Sequence, residues 1–389
     1  MAMDSAYRLL LVGPLESDHL RRLIRHLKKV DPSASISVLC WHSNRPLPED
    51  FQSLLDGVYE ARRSSGLISR IPIVRSAVAR SRYRRAFRSA VRNGLFDIVN
   101  IHYPSPRDLS ILPIARKAGS KVVLSPWGSD VLRVTSPLAL SKLRRLYSSA
   151  DHVTGLEGRF MDSVRSILGF DPGKILPAGF GSDTLDYIFE HDGEATREEA
   201  KRTLGLEGSY TITCGYNGSE GQRHKEIIEA VAQVRGDLPA DLTLLFPFTY
   251  GAKPGYKEQL DESLEKHGLK GVFFTDYLPL DKLLLLRKCT DMFVHVQPTD
   301  ASSASIKEYI ACGAKVLHGG WIVYDDLESG GSKPYFTVPS METLPETIVS
   351  AFNAQPIRIP DGILRTIQSE GWKARIQAWD GMFKRLSED

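Results

Sequence analysis

Two acidic residues, Asp300 and Glu308, stand on either side of the segment Ser302-Ser303-Ala304-Ser305, which leads into a predicted helix. Free backbone N–H groups and the positive end of the dipole at a helix start attract a diphosphate. Flanking carboxylates accept hydrogen bonds from sugar and ribose hydroxyls. The pattern therefore predicts a site for a sugar nucleotide. The alternative is that Asp300 is an N-cap and Glu308 an exposed helical acid.

A glycine-rich segment, residues 215–225, lies between the predicted strand Tyr210–Cys214 and a predicted helix at 226–234. It contains three glycines and ends in Arg223-His224-Lys225, so backbone and charge together could enclose an anionic group. We expect Arg223 to stabilise a leaving group, and Lys225 is the second candidate for this role. The alternative is a solvated basic helix start, although cations are mildly unfavourable there without an anion.

The composition indicates a globular protein of two domains. The chain has 389 residues, of which 42% are hydrophobic and 25% charged, and this length is too great for one ordinary core. The apolar run Leu9–Val12 is too short for a signal peptide, and no apolar stretch approaches the length of a membrane span. The cysteines have neither metal-ligand nor redox spacing, so we expect reduced thiols and a cytoplasmic protein. They are Cys40, Cys214, Cys289 and Cys312.

A basic block occupies residues 61–96, which contain ten arginines and no acidic residue. Basic and apolar residues interleave there at roughly helical spacing, which suits the surface of an anionic membrane. We expect residues 62–92 to bind such a surface. Nucleic acid is the disfavoured alternative, because no second signal for it is present. A solvated helical face packed on a sheet is the other alternative.

Alternating strand and helix patterns run through the whole chain and predict parallel, doubly wound sheets. The first strand is followed by Gly13-Pro14 rather than by Gly-x-Gly-x-x-Gly, and no Walker loop is present, so a dinucleotide oxidoreductase and a P-loop enzyme are disfavoured. We predict two Rossmann-like domains, at residues 1–187 and 188–362, and a C-terminal helix at 363–389 that packs back on the first. The strands expected from the pattern are 8–13, 36–41, 96–102, 121–125, 152–156, 174–178, 210–214, 242–246, 272–275, 292–296, 315–317 and 335–338.

Three segments resemble the GT-B glycosyltransferases of family 4: residues 300–317, the glycine-rich loop with its basic end, and residues 121–131. The resemblance extends over nearly the whole chain, with the acid pair as its specific motif. It implies an α/β GT-B fold, in which two Rossmann-like domains face a central cleft, and it implies hexosyl transfer from a nucleotide diphosphate sugar.

By this resemblance, Asp300 holds hydroxyls of the transferred sugar, Glu308 holds the ribose, and the backbone of Ser302, Ser303 and Ser305 holds the diphosphate. In the first domain, Asp130 is expected to contact the acceptor hydroxyl. Further donor-binding residues are expected in two loops: Gly215, Tyr216, Asn217, Gly218, Thr249 and Tyr250. The acceptor side is expected to include Gly13, His102, Trp127 and Ser129.

Residues 215–225, 246–251 and 256–267 also resemble the bacterial N-acetylfucosaminyltransferases that transfer from a TDP-sugar to a lipid-linked glycan. The sequence departs from family 4 at three places. Tyr216 replaces an arginine, Asp300 replaces a glutamate, and Trp127 replaces a histidine. Trp127 could stack on a sugar, or it could pack in the wall between the two domains. A lone histidine such as His102 could be structural.

The mechanism that follows is electrostatic: fixed cations and backbone donors offset charge on the departing diphosphate, with neither a metal nor a cofactor. The family 4 likeness implies retention, whereas the second likeness permits inversion. UDP and TDP are the expected nucleotides, and a glycan or polyprenyl-linked acceptor is expected in surface-polysaccharide assembly. The alternatives are a GT-B-fold sugar-nucleotide epimerase and a non-catalytic nucleotide-sugar-binding protein.

Overall fold

The structure is a computed structural model that describes residues 7–42, 47–62, 72–300, 303–328 and 333–388. The chain forms two compact units. Unit 1 runs to Gly181 and resumes at Trp372, and unit 2 spans Ser182–Gly371.

Unit 1 is built on a parallel seven-stranded sheet in the order β3-β2-β1-β4-β5-β6-β7. Its strands are β1 (Arg8–Val12), β2 (Ser35–Trp41), β3 (Gly57–Ala61), β4 (Ile98–His102), β5 (Lys121–Ser125), β6 (His152–Thr154) and β7 (Ile175–Leu176). Its helices are α1 (Asp18–Val30), α2 (Glu49–Gln52), α3 (Pro72–Asn93), α4 (Leu112–Lys117), α5 (Ser129–Leu132), α6 (Pro137–Ser149), α7 (Arg159–Leu168) and, at its C-terminal end, α16 (Trp372–Glu388).

Unit 2 has a parallel six-stranded sheet in the order β10-β9-β8-β11-β12-β13. Its strands are β8 (Tyr210–Cys214), β9 (Leu242–Pro247), β10 (Lys270–Phe274), β11 (Met292–His295), β12 (Lys315–Gly319) and β13 (Phe336–Val338). Its helices are α8 (Asp183–Glu190), α9 (Arg197–Thr203), α10 (His224–Gln233), α11 (Tyr256–Lys266), α12 (Leu280–Cys289), α13 (Ala304–Ala311), α14 (Leu344–Asn353) and α15 (Asp361–Gln368).

Both sheets reverse strand order at one point, between β1 and β4 in unit 1 and between β8 and β11 in unit 2. In parallel α/β sheets, ligands bind outside the carboxyl ends of the strands at such a reversal. The loops that follow these four strands are therefore the places to examine for function.

The C-terminal segment is two helices rather than one, and only the second belongs to unit 1. On α15, Ile363 and Ile367 pack with Leu185 of α8 in the core of unit 2. On α16, Trp372 and Trp379 are buried in the core of unit 1. The boundaries predicted after residues 187 and 362 fall inside α8 and α15, because the apolar faces of both helices pack in unit 2.

The edge strand β3 was not predicted from the sequence. Most of its residues are only half-buried and Glu60 is exposed, so the apolar pattern of a buried strand is missing. The prediction that α3 offers apolar residues to a membrane is wrong for Tyr83 and Phe87, which are buried in the core of unit 1. Arg63 and Arg70 of the basic block lie outside the described residues.

Candidate functional site

The glycine-rich loop after β8 and the Asp300 loop after β11 meet at the carboxyl edge of the unit 2 sheet, because β8 and β11 are neighbours. Gln297 joins the two loops. Its Oε1 accepts hydrogen bonds from Gln222 Nε2 at 2.8 Å and from the Tyr216 hydroxyl at 3.4 Å. The two motifs that the sequence predicts to bind one ligand therefore form one surface.

Asp300 is held in place by two side chains. The Tyr324 hydroxyl donates to Asp300 Oδ2 at 2.5 Å, and His295 Nε2 lies 3.2 Å from the same oxygen. The Asp300 side chain is 12% exposed. Tyr324 also accepts a hydrogen bond from the backbone N–H of Ser303 at 3.1 Å. Tyr324 thereby fixes the carboxylate relative to the start of α13.

Behind Asp300 lies a pair of buried histidines that the sequence analysis did not identify. The parallel register places His295 beside His318, and their Nδ1 atoms are 3.0 Å apart. His318 Nε2 lies 2.9 Å from the carbonyl oxygen of Ile322, so Nε2 carries the proton and Nδ1 accepts from His295. Burial and the neighbouring His295 lower the pKa of His318 to about 3. The only sequence signal for this pair is a histidine near the end of each of two predicted strands: His295 is the next-to-last residue of 292–296, and His318 directly follows 315–317.

Arg223 adopts a left-handed backbone conformation, with φ of 60°, between a 3-10 turn and α10. This conformation costs a non-glycine residue about 1 kcal/mol or more. Its guanidinium lies 5.4 Å from the centre of the Trp321 ring, and the Trp321 indole N–H donates to the carbonyl of Gln297 at 2.8 Å. Arg223 therefore belongs to the same surface as the loop of Asp300.

The other two residues of the basic end face elsewhere. Lys225 Nζ donates to Gln259 Oε1 on α11 at 2.7 Å. His224 is fully buried against Phe246, Phe248 and Tyr256, and burial lowers its pKa to about 4. His224 is thus a neutral core residue, and the cations of this loop are Arg223 and Lys225.

The glycines of this loop permit close approach of backbone. A Cβ atom on Gly215, which has φ of 64°, would lie 2.7 Å from Gln222 Oε1, and one on Gly218 would lie 2.7 Å from the Cβ of Ala252. Asn217 Oδ1 accepts from the N–H of Ser219 at 2.8 Å and shapes the turn. The Gly218 N–H donates to the carbonyl of Tyr250 at 2.8 Å, which brings the second predicted loop alongside. In that loop, Thr249 is half-buried and the Tyr250 side chain is 60% exposed.

The start of α13 is the predicted diphosphate site. Ser303 is the N-cap, and its hydroxyl accepts from the N–H of Ser305 at 3.2 Å. The N–H of Ser303 itself donates to Tyr324. A diphosphate bound by these two N–H groups would have to exchange those hydrogen bonds. Ser302 lies outside the described residues.

Glu308, the predicted ribose ligand, is 4% exposed and forms a buried ion pair. Arg287 Nε donates to Glu308 Oε2 at 2.9 Å, and the Ser182 hydroxyl donates to Oε1 at 3.3 Å. Arg287 also stacks on Tyr309, 4.4 Å from the ring centre. Glu308 therefore ties α13 to α12. A second guanidinium nitrogen of Arg287 also contacts Oε2, so Oε1 is the oxygen that retains a lone pair for a ribose hydroxyl.

The preceding residue anchors α13 on its other side. Lys307 Nζ is buried and pairs with Glu370 Oε1 at 2.6 Å and with Asp326. A helix of eight residues is marginal on its own. The buried ion pairs of Lys307 and Glu308 hold α13 in position.

In unit 1, the predicted acceptor residues meet at the carboxyl edge of β1, β4 and β5. A Cβ atom on Gly13 would lie 3.1 Å from the Cβ of His102. The Trp127 indole N–H lies 3.4 Å from His102 Nδ1, and Ser129 Oγ lies 3.0 Å from the Tyr103 hydroxyl. His102 is 1% exposed, whereas Trp127 is half-buried. The structure thus brings all four predicted residues together, with Trp127 more accessible than His102.

Asp130 is buried beside them and is a candidate proton acceptor. Its Oδ1 accepts from the backbone N–H of Trp127 at 2.9 Å, while Oδ2 is buried without a hydrogen-bond partner in the described part of the chain. Burial raises the pKa of Asp130 to about 6, against the smaller opposing effect of the Trp127 N–H. A carboxylate that titrates near neutrality in a polar cluster suits acid–base chemistry.

The change Asp130→Asn should stabilise the protein at pH 7.5 while it lowers activity. A buried acid whose pKa is raised in the folded state destabilises the protein once the pH rises above the pKa of that acid in the unfolded chain. Removal of the charge should therefore add about 1–3 kcal/mol to the free energy of unfolding. The gain should shrink at pH 5, where Asp130 is largely protonated. Melting temperatures at both pH values measure this effect, with exposed Asp162→Asn as the control. An equal gain at both pH values would contradict the assignment.

Stability should also fall on acidification because three buried histidines are neutral in the folded protein. Burial lowers the pKa of His102 to about 3, of His318 to about 3 and of His224 to about 4. The unfolded chain binds a proton at each below about pH 6.5, so stability should drop by about 1.4 kcal/mol per pH unit for each histidine. We expect melting temperature to decrease steeply from pH 6.5 to 5. The change His102→Gln should reduce that slope, and an unchanged slope would exclude His102 as a cause.

Among the described residues, no three His, Cys, Asp or Glu side chains are grouped so as to hold a metal ion. The four cysteines are buried and free. Over the described ranges, no helix has both the length and the hydrophobicity needed to cross a membrane.

Comparison with known proteins gives matches of two kinds. Residues 17–181 match the family described as Glycosyl transferase 4-like domain. No curated protein sequence matches. Among solved structures, a glycosyltransferase from Rickettsia africae is 14% identical with a TM-score of 0.73, over 98% of both chains. Anabaena HepE in complex with UDP and glucose is 14% identical with a TM-score of 0.60, over 97% of both chains. The lipopolysaccharide outer core galactosyltransferase WaaB is 11% identical with a TM-score of 0.67, over 98% of this chain and 99% of WaaB.

The domain match and the shared architecture confirm two predictions from the sequence. The chain has the GT-B fold of two Rossmann-like domains, and it carries a glycosyltransferase domain at residues 17–181.

Proposed function

We propose that the protein transfers a hexosyl residue from a nucleotide diphosphate sugar, UDP-linked or TDP-linked, to a glycan acceptor. One observation carries the proposal: the glycine-rich loop and the Asp300 loop, predicted independently to bind phosphate and sugar, are joined through Gln297 at the strand reversal of unit 2. HepE, which shares the fold, binds UDP and glucose. TDP is the alternative implied by the resemblance to N-acetylfucosaminyltransferases.

In this proposal, Asp300 accepts hydrogen bonds from the transferred sugar and Glu308 from the ribose. The start of α13 binds the diphosphate, and Arg223 offsets charge on the leaving group. Asp130 accepts the proton of the acceptor hydroxyl. The transfer is retaining and needs no metal ion.

The acceptor in this proposal is a lipid-linked or surface-polysaccharide intermediate, met at the cytoplasmic face of the membrane. WaaB, which has the same fold, is a lipopolysaccharide outer core galactosyltransferase. The exposed arginines of α3, among them Arg82, Arg85 and Arg92, give unit 1 a basic face that an anionic leaflet would attract.

The proposal is tested by calorimetric titration with UDP, TDP and GDP, followed by measurement of donor consumption with and without a bacterial lipid extract. We expect one nucleotide to bind preferentially and the lipid extract to accelerate consumption of the matching sugar donor. Binding without turnover in every acceptor mixture would instead indicate a non-catalytic nucleotide-sugar-binding protein. Isomerisation of the donor without transfer would indicate an epimerase.

Arg223 offers a test of the leaving-group role. The change Arg223→Gly removes the guanidinium and suits the left-handed backbone, so folding should be preserved. We expect kcat to fall about a hundredfold, and the affinity for nucleotide to fall only a few-fold, if the cation acts chiefly on the transition state. Arg223→Lys, which keeps the charge, should be intermediate. Equal losses of kcat and affinity would contradict this role.

A further inference from the structure

A cavity of about 650 Å³ in unit 1 is lined by five cationic side chains, and none of its described lining residues is acidic. The cations come from three helices and one loop: Arg80, Arg107, Arg116, Lys142 and Arg145. Leu109, Leu112 and Pro113 supply apolar wall. A smaller hollow of about 170 Å³ shares Arg80 and continues along α3 past Arg84 and Arg88. Seven cations thus line the two adjoining hollows, which together are called the depression.

One of these cations, Arg107, acts on a neighbouring carboxylate: burial raises the pKa of Asp108, and Arg107 is one of the groups that lower it. None of the seven forms an ion pair with a residue in the described part of the chain. Arg107 donates to Ser105 Oγ at 2.8 Å, and Arg116 donates to the carbonyl of Ser149. Arg84 Nε is buried without a hydrogen-bond partner in the described ranges. Because clustered like charges repel one another, the depression favours an anionic ligand.

Guanidinium groups favour one class of anion in particular. Their planar donors match the oxygens of a phosphate, often as paired hydrogen bonds. Four of the five cations in the larger cavity are arginines on different elements, so they can approach one phosphate from several sides.

Apolar residues extend the same helical faces beyond the cations. On α6, Leu138 lies one turn before Lys142 and is 67% exposed. On α3, Val74 lies one turn before the lining residue Ala77 and is 40% exposed. Both helices return from the carboxyl edge of the sheet, so both apolar positions are at that edge. A phospholipid would match this arrangement, because its hydrocarbon chains could contact Leu138 and Val74 while its phosphate contacts the cations of the depression.

We propose that this cavity binds the phosphate head group of an anionic membrane lipid and thereby holds unit 1 at the membrane. The inference rests on the membrane-associated form of the proposed function and makes it specific, since it assigns a discrete site that includes α4 and α6 as well as the basic helix α3. None of the predicted acceptor residues lines this cavity.

The test is sedimentation of the full-length protein with vesicles of phosphatidylcholine alone and with vesicles that also contain phosphatidylglycerol. We expect binding only to the second kind. The triple change Arg80→Ser, Lys142→Ser and Arg145→Ser should weaken it about a hundredfold, from about a factor of five per well-placed cation. The matched control removes three exposed lysines of unit 2, Lys266, Lys270 and Lys282, and should change binding less than about threefold.

A second pair of variants separates a phosphate site from diffuse charge. The double change Arg80→Lys and Arg145→Lys keeps the charge but removes the planar donors, and it should weaken binding about fivefold or more. If the double lysine variant bound vesicles as well as the unchanged protein, the discrete site would be overturned. Equal losses of binding in the triple variant of the cavity and the triple variant of the control lysines would overturn it as well.

Two further measurements distinguish other ligands. Tight binding of inorganic pyrophosphate without vesicle binding would show a soluble phosphate ligand, and binding of RNA in preference to vesicles would show a nucleic-acid surface; either result contradicts the lipid assignment. Calorimetric titration with UDP and donor consumption with a soluble acceptor test the proposed transferase separately. Sugar transfer by a protein that does not bind lipid would contradict the lipid site and leave the proposed transferase activity intact.

Discussion

Replacing Asp300 by Asn should lower the rate of sugar transfer about a hundredfold or more while affinity for the free nucleotide changes less than about threefold. The side chain keeps its size, and the Tyr324 hydroxyl can still donate to the amide oxygen. What is lost is the negative charge that, in the proposed function, accepts hydrogen bonds from the transferred sugar. The loss should therefore appear in kcat rather than in nucleotide binding.

Steady-state kinetics with the preferred donor, together with calorimetry of the free nucleotide, measure both quantities for Asp300→Asn. The exposed Asp276→Asn, which makes the same chemical change elsewhere in unit 2, is the control. Turnover within about threefold of the unchanged protein would exclude a role for the Asp300 charge in the reaction.

Replacing Glu308 by Leu should destabilise unit 2 by about 3–5 kcal/mol, because the change leaves the Arg287 guanidinium buried without its partner. The double change Arg287→Met and Glu308→Leu should recover most of that loss, since an apolar pair can replace a buried ion pair at little cost. Urea unfolding of the single and double variants measures the recovery. A double variant as unstable as Glu308→Leu would show that Arg287 is not the cause.

The same pair of variants tests the ribose-binding role of Glu308 apart from its structural role. We expect the double variant to bind nucleotide about tenfold more weakly even when it is stable, because ribose hydroxyl contacts are not restored. Affinity that returns together with stability would contradict a direct role in binding and leave Glu308 as a structural residue.

The sequence was sufficient for the features that depend on local pattern. Apolar runs and helical periodicity indicated twelve of the strands in nearly the right places. The parallel orientation of these strands then followed from their alternation with helices. The glycine-rich loop and the Asp300 loop were identified because their residue types have local chemical meaning. The rule that ligands bind outside the carboxyl ends of the strands predicted the edge at which these loops lie, and the pairing of β8 with β11 brings them together there.

What the sequence could not show depends on contacts between distant residues. His295 faces His318 only through strand register, and Arg287 reaches Glu308 only through the packing of α12 against α13. His224 looked like a cation because its burial depends on three aromatic side chains from other elements. A count of basic residue types therefore gives this loop more positive charge than it carries in the folded protein.

The return of α16 to the first unit also bears on how the protein is made. Unit 2 is complete once Gly371 has been synthesised, whereas the core of unit 1 still lacks Trp372, Trp379 and Phe383. On the ribosome, the second half of the molecule can therefore mature before the first, even though domains usually fold in order from the N-terminus. A nascent chain that stops before α16 would keep an open apolar surface on unit 1, so premature termination just before Trp372 should yield an aggregation-prone product.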